Sequence, residues 1–260
     1  MTQRQRLHEI TRYVRKHGEL TVSRACELFG ASSATIRRDF SLLMEEGAVS
    51  RTWGGISRKE EEATDLAGQP AWLRETLFAD EKKKIAATAA SLVEDGDVVM
   101  IDGGTTTYHM ARYLANRPVT VITNSILIAH QIDLERQSKY GAEVLVTGGL
   151  IYPEAGMLVG PQAIKNIREY YARWAFLSVG GIEAEGVTNS SQLVVETQRA
   201  IMEQCETRVL LADHSKFGRK SLCRLCGIGE IDLLITDSPP GQADLIDNLR
   251  SRGLHVVQTN

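Results

Sequence analysis

A chain of 260 residues, 43% hydrophobic and 24% charged with a net charge of −3, has the size of about two domains and an ordinary water-soluble composition. No apolar run approaches the ~20 residues that a membrane span requires, and Met1–His8 is polar where a secretory leader would be apolar, so no membrane partner and a cytoplasmic location are expected. Net charge alone argues against nucleic acid, but residues 1–58 carry ten Lys and Arg against six Asp and Glu, which leaves −7 on the remainder. A basic head on an acidic body fits a DNA-binding module on a soluble sensor.

Leu7, Ile10 and Val14 recur at helical spacing, and Gly18 stops that first helix. Thr21 caps a second helix with Val22, Ala25, Cys26 and Phe29 on its apolar face, and Gly30 makes the turn after it. Ser32 caps a third helix through Ile36, Phe40 and Leu43, which stops at Gly47. Two helices joined by a short glycine turn are a helix-turn-helix, and Val49–Ile56 reads as two short strands that form a wing beside it. A recognition helix reads bases mainly with residues near its N-terminal end, here Ser33, Thr35, Arg37 and Arg38. Arginine suits both bidentate contact with guanine and phosphate grip, although two adjacent arginines also fit a plain solvated face. Arg51 and Arg58 flank the wing, within reach of phosphates or the minor groove.

Residues 1–57 therefore form a winged helix-turn-helix domain, residues 58–72 a linker without periodicity, and residues 73–260 an α/β domain. In the last, Ile85, Ala89, Leu92 and Val93 mark a helix. Short apolar runs follow at 98–101, 119–123, 143–147, 174–179, 208–212, 232–236 and 255–258. Helical stretches at 108–116, 125–134, 162–171, 194–205 and 242–252 lie between most of them, which predicts βαβ units and a mostly parallel sheet. The four cysteines are too few and scattered for a disulfide framework. Cys223 and Cys226 lack the second pair that a zinc site needs, so buried reduced thiols are expected, with no metal and no cofactor.

The segment Asp102-Gly103-Gly104-Thr105-Thr106-Thr107 follows a strand and opens a helix. Glycines let the backbone approach a ligand, three hydroxyls are on offer, and free N–H groups at a helix start suit an anion. The same residues also fit a tight, threonine-capped turn. Asn124 and Gly148-Gly149 lie just past strand ends, where open α/β sheets bind ligands. Lys216 offers a cation to an anionic ligand, and Asp213 a carboxylate to orient it. Glu196 either accepts hydroxyls of a ligand or is a solvated first-turn carboxylate.

Residues 4–56 resemble the winged helix-turn-helix of the DeoR family of bacterial regulators, on Gly30-Ala31-Ser32, Thr35-Ile36-Arg37-Arg38-Asp39 and Arg51-Thr52-Trp53-Gly54-Gly55, with Trp53 where the family usually has His. The resemblance continues through Glu81-Lys82-Lys83-Lys84-Ile85-Ala86, Asp102–Thr107, Thr123-Asn124-Ser125, Thr147-Gly148-Gly149, Gly180-Gly181-Ile182 and Ala212–Gly218. It implies a sensor domain like ribose-phosphate isomerase that binds a phosphorylated sugar or sugar-like effector, with Thr123 and Gly180 joining the site. It further implies repression of a carbohydrate-metabolism operon relieved by that effector, double-stranded operator DNA as partner, and no catalytic residue. An isomerase with Glu196 or Asp213 as base leaves the head unexplained, and an architectural DNA binder would need more basic charge. Two operator half-sites call for a homo-oligomer, a dimer or tetramer.

Overall fold

The computed structural model describes residues 2–46, 48–52, 54–58, 71–137, 139–152, 155–237 and 242–259. The chain divides into two compact units, Met1–Leu77 and Phe78–Asn260.

The first unit opens with α1, Gln3–His17, capped by the Thr2 hydroxyl and ended by Gly18 at φ +87°. A three-residue strand β1, Glu19–Thr21, follows; the sequence gives no sign of so short an element. Thr21 then caps α2, Val22–Phe29, and Gly30 in the left-handed region turns the chain toward α3, Ser33–Glu45, which Ser32 caps. β2, Val49–Thr52, and β3, Gly55–Arg58, form the wing hairpin, and β3 also pairs with β1 to make a three-stranded sheet. A Cβ at Gly55 would stand 2.3 Å from the Leu20 carbonyl oxygen, so that pairing requires glycine. Leu7, Ile10, Val14, Leu20, Ala25, Ile36, Phe40, Leu43, Val49 and Ile56 make one core. A short helix α4, Ala71–Thr76, packs on α1. Gly47, Trp53 and most of the anticipated linker, residues 59–70, lie outside the described residues.

The second unit begins with α5, Ala79–Ser91, and β4, Val98–Ile101. A 3-10 turn, Thr107–Met110, runs into α6, Ala111–Leu114. Next come β5, Thr120–Thr123, α7, Ile126–Glu135, and β6, Glu143–Val146. A hairpin of β7, Leu150–Tyr152, and β8, Met157–Val159, leads to α8, Pro161–Ile167, and β9, Ala172–Ser178. β10, Gly181–Glu183, and β11, Gly186–Asn189, precede α9, Gln192–Glu203, and β12, Cys205–Leu211. β13, Cys223–Cys226, β14, Leu233–Asp237, α10, Ala243–Ser251, and β15, His255–Thr259, complete it.

The seven apolar runs all enter one sheet, ordered β15-β14-β12-β9-β4-β5-β6, and every pairing in it is parallel. Alternate strand residues face opposite sides. Val99, Ile101, Val121, Phe176, Val209 and Ile235 share a core with α5, α6 and α7. Met100, Ile122, Ala175, Leu177, Leu210 and Leu234 share another with α8, α9 and α10. From β4 the chain steps outward to β5 and β6, then returns to the other side of β4 as β9 and steps away through β12, β14 and β15. The switch point of the sheet therefore lies between β4 and β9, where open α/β sheets form their ligand crevice. No described helix is long and apolar enough to cross a membrane.

Three expectations require correction. The chain after Thr107 is a 3-10 turn before it is an α-helix, because the amides of His109 and Ala111 bond the carbonyls three residues back, Thr106 and Tyr108. The helices expected at 162–171 and 194–205 end at Ile167 and Glu203, and Cys205 already belongs to β12. Of the four thiols expected to be buried only Cys226 is, while Cys26, Cys205 and Cys223 are half-buried. Cys223 and Cys226 lie on β13, where a bulge opposite Val187 and Thr188 breaks the alternation of the strand, and both pack against the same core.

Candidate functional site

In the first unit, Ser33, Arg37 and Arg38 are exposed on the first turns of α3, and Arg51 is exposed on β2. Thr35 is half-buried, with its hydroxyl 2.9 Å from that of the cap residue Ser32. Arg37 and Arg38 are thus presented to solvent by a helix whose other face, Ile36, Phe40 and Leu43, is sunk in the core. Asp39, which no reading of the sequence assigned, is fully buried. It accepts from Arg6 Nε at 2.5 Å, Arg6 Nη2 at 3.3 Å and Gln3 Nε2 at 3.3 Å, and so fixes α3 against α1.

In the second unit, Asp102 lies at the switch point with no exposed surface. Its Oδ1 accepts from Asn124 Nδ2 at 3.2 Å. Its Oδ2 accepts from Gln198 Nε2 at 2.6 Å and from the Ser178 hydroxyl at 3.0 Å. Asn124 in turn accepts from the Gly103 amide at 2.9 Å, and Gln198 also donates to the Ser178 carbonyl at 2.7 Å. The Thr107 hydroxyl donates to the Asp102 carbonyl, and that of Thr123 to Ile101. One buried network therefore ties the ends of β4, β5 and β9 to α9. Burial pushes the Asp102 carboxyl up to about 6, against the opposing pull of Gln198, Ser178 and Asn124. Ser178 and Gln198 belong to no motif; an apolar strand and an amphipathic helix hide them in sequence.

Asp102 is thus spent on internal donors, and its role is to hold the loop. The glycines after it are explained in the same way. A Cβ at Gly103 would stand 2.6 Å from Met157 Cγ, and one at Gly104 would stand 2.2 Å from Ser178 Cβ. What remains toward a ligand is the loop's far side, with the half-buried Thr105; Thr106 is itself buried, and its side chain is not used in capping. Gly180 follows β9, where a Cβ would meet the Ser221 hydroxyl at 2.5 Å. Gly148 and Gly149, both at positive φ, follow β6 at the sheet edge. Glu196 lies on the exposed face of α9 and accepts from Gln192 at 2.9 Å, while Gln198 two residues on turns inward.

A second group of charges collects past the end of β12. Asp213 is fully buried, and its Oδ1 takes both the amide and the hydroxyl of Ser215. Lys82 of α5, only 2% exposed, brings its ammonium to 3.9 Å from Asp213 Oδ2. Burial would raise the Asp213 carboxyl, but Lys82, Lys216 and the Ser215 bonds outweigh it and hold the group below the usual carboxylate range. The imidazole of His214 reaches Asp237 at 2.5 Å and meets the Phe78 ring edge-on. Lys82 was visible in sequence only as one of three consecutive lysines, and nothing marked it as the buried one.

A winged helix-turn-helix that exposes arginines on its third helix, in one chain with an α/β unit that gathers polar groups at its switch point, defines a ligand-responsive DNA-binding regulator. Residues 6–62 match the DeoR-like helix-turn-helix domain and residues 78–238 the DeoR C terminal sensor domain. The chain belongs to the DeoR family of transcriptional regulators and is a regulator, not an enzyme. It is 35% identical over 251 residues to the HTH-type transcriptional repressor GlcR of Bacillus subtilis, covering 95% of this chain and 94% of that one. It is 28% identical over 242 residues to the glycerol-3-phosphate regulon repressor of Escherichia coli, covering 92% and 93%. Among solved structures, ribose 5-phosphate isomerase A of Methanocaldococcus jannaschii is similar at 20% identity, 55% and 56% coverage and a TM-score of 0.40.

Proposed function

We propose that this protein is a cytoplasmic repressor of a carbohydrate-metabolism operon, released from its operator when the second unit binds a phosphorylated sugar. Support comes from the convergence of the 103–106 loop, Asn124, Asp213 and Lys216 at the carboxyl ends of one parallel sheet around its switch point. Relatives named as repressors, one of them of a glycerol-3-phosphate regulon, point the same way. The phosphate sits on the far side of the loop, at the half-buried Thr105 and the buried Thr106, with Lys216 as counter-charge, while Asp102 and Asn124 hold that loop in shape. A dimer or tetramer presents two heads to two operator half-sites.

Ser33, Thr35, Arg37, Arg38 and Arg51 face the DNA. Arg37→Ala and Arg38→Ala are each expected to weaken operator binding without unfolding, since both side chains are exposed. Loss of a bidentate base contact costs ~1–3 kcal/mol and relaxes specificity at one base pair. Loss of a phosphate contact lowers the salt slope by about one. Operator titrations at several salt concentrations separate the two, and unchanged binding by both variants would remove α3 from the groove.

Thr106→Ala and Lys216→Ala are expected to weaken effector binding by about one to two decades, the loss of one charge-assisted bond of roughly 1.5–3 kcal/mol. Calorimetric titration of a sugar phosphate and of its unphosphorylated sugar into parent and variants tests this. Equal affinity of the parent for the two would end the phosphate-site reading.

A further inference from the structure

Two buried polar atoms have no hydrogen-bond partner, Asp213 Oδ2 and His109 Nε2, and both groups feel the charge of Lys82. Asp213 Oδ2 is 3.9 Å from Lys82 Nζ, beyond hydrogen-bond reach, although its other oxygen is fully engaged by Ser215. His109 stands on the 3-10 turn Thr107–Met110, directly after the threonine loop, and α5, which carries Lys82, packs on that turn. Burial and then the charges of Lys82, Lys83 and Arg112 bring the imidazole down to about 4, so it is neutral at physiological pH. Buried polar groups in folded proteins are nearly always hydrogen-bonded, and an orphan requires a reason. Two orphans under the influence of one ammonium, one of them on the turn directly after a loop already placed at the ligand crevice, have a common reason.

We propose that His109 and Asp213 form a hydroxyl-reading subsite, in which Asp213 Oδ2 accepts from one hydroxyl of the effector's carbon chain and His109 Nε2 bonds an adjacent one. This rests on the effector reading above and makes His109 a specificity-determining residue. A carboxylate only accepts hydrogen bonds, so Asp213 pairs with hydroxyl donors and not with a phosphoryl group, which offers none at neutral pH. The phosphate end is oriented toward Thr105, Thr106 and Lys216, and the hydroxylated end toward α5. A site with buried groups aimed at hydroxyls rejects an analogue that lacks one, since the groups are then left unpaired.

The test uses the full chain with a panel of triose, pentose and hexose phosphates, each with a deoxy counterpart, and inorganic phosphate as a probe of the phosphate end alone. Thermal shift selects the best binder and calorimetry measures it. The parent should prefer the hydroxylated compound over its deoxy form by about tenfold or more. His109→Phe should bring the two within about twofold, whereas His109→Gln, which keeps a hydrogen-bonding group near the position of Nε2, should retain most of the preference. Affinity for inorganic phosphate should be equal in all three. If His109→Phe does not fold, His109→Asn, too short to reach, takes its place. A His109→Phe protein that keeps the preference, or that loses inorganic phosphate as strongly as the sugar phosphate, would overturn the subsite. A parent that binds sugar phosphates without hydroxyl preference overturns the subsite alone. A parent that binds none of them overturns the effector reading and the subsite together.

Discussion

Asp39→Ala is expected to destabilise the DNA-binding unit enough that it unfolds at urea concentrations the parent withstands. Asp39 has no exposed surface, and its partner Arg6 keeps only 11% of its side chain in water. Removing one member of a buried, hydrogen-bonded ion pair leaves the other uncompensated and costs ~3–5 kcal/mol. The residual exposure of Arg6 places the expected loss near the lower end, about 3 kcal/mol, a large share of the ~5–15 kcal/mol that stabilises a typical domain. The α1–α3 contact is what the pair holds, so hydrogen exchange should report loss of protection in α1 and α3 while the second unit keeps its own. Glu27→Ala breaks an exposed pair with Arg24 on α2 and should leave both exchange and operator binding unchanged. Parent-like protection in the Asp39 variant would mean that the apolar core alone sets the angle of the recognition helix.

Asp102→Ala should be the most damaging substitution in the second unit. It strips the acceptor from Gln198, Asn124 and Ser178 at once, in a place with no access to water. Each buried donor left unmet costs ~1–3 kcal/mol, but the Ser178 hydroxyl and Gln198 keep a second acceptor in the Gly103 and Ser178 carbonyls, so the low end of the three-donor sum, about 3–5 kcal/mol, is expected, and the 103–106 loop loses its shape with it. The effect has a pH signature. The folded Asp102 carboxyl, at about 6, holds its proton more tightly than an unfolded aspartate near 3.8. Folded Asp102 therefore binds more protons than unfolded Asp102 between those values, and its contribution to stability grows as pH falls through 6 and shrinks as pH rises. The deficit of the variant should be larger at pH 5 than at pH 7 by roughly 1 kcal/mol. Urea denaturation of parent and variant at both values measures it, and a deficit that narrows on acidification would contradict the buried carboxylate described here.

These expectations concern residues of unequal legibility. Asp102 and Asn124 stood out because glycine- and threonine-rich turns after apolar runs are local signals, readable within six residues. Asp39 belongs to an equally recognisable stretch, Thr35–Asp39, yet its partner Arg6 lies 33 residues away. Ser178 and Gln198 are 76 and 96 residues from Asp102 and sit in segments that read only as apolar strand and amphipathic helix. Lys82 reads as one of three lysines at the start of a helix, a pattern that ordinarily means a solvated face.

The sequence by itself determined the head, with its three helices, its wing and its core, and the seven strands of the sheet. Each of these is written in spacing over a few residues: hydroxyl caps, glycine stops, period-3.6 stripes and short unbroken apolar runs. Tertiary structure alone decided that β9 lies beside β4, and with that the switch point, the burial of Asp102 among Ser178, Asn124 and Gln198, and the placing of Lys82 against Asp213. It also decided which short segments pair as β1, β7, β8, β10, β11 and β13. Periodicity reports which face of an element leaves the water. Which polar atom a buried polar atom meets there depends on strand order and on how the helices pack, and neither is encoded within any one stretch of chain.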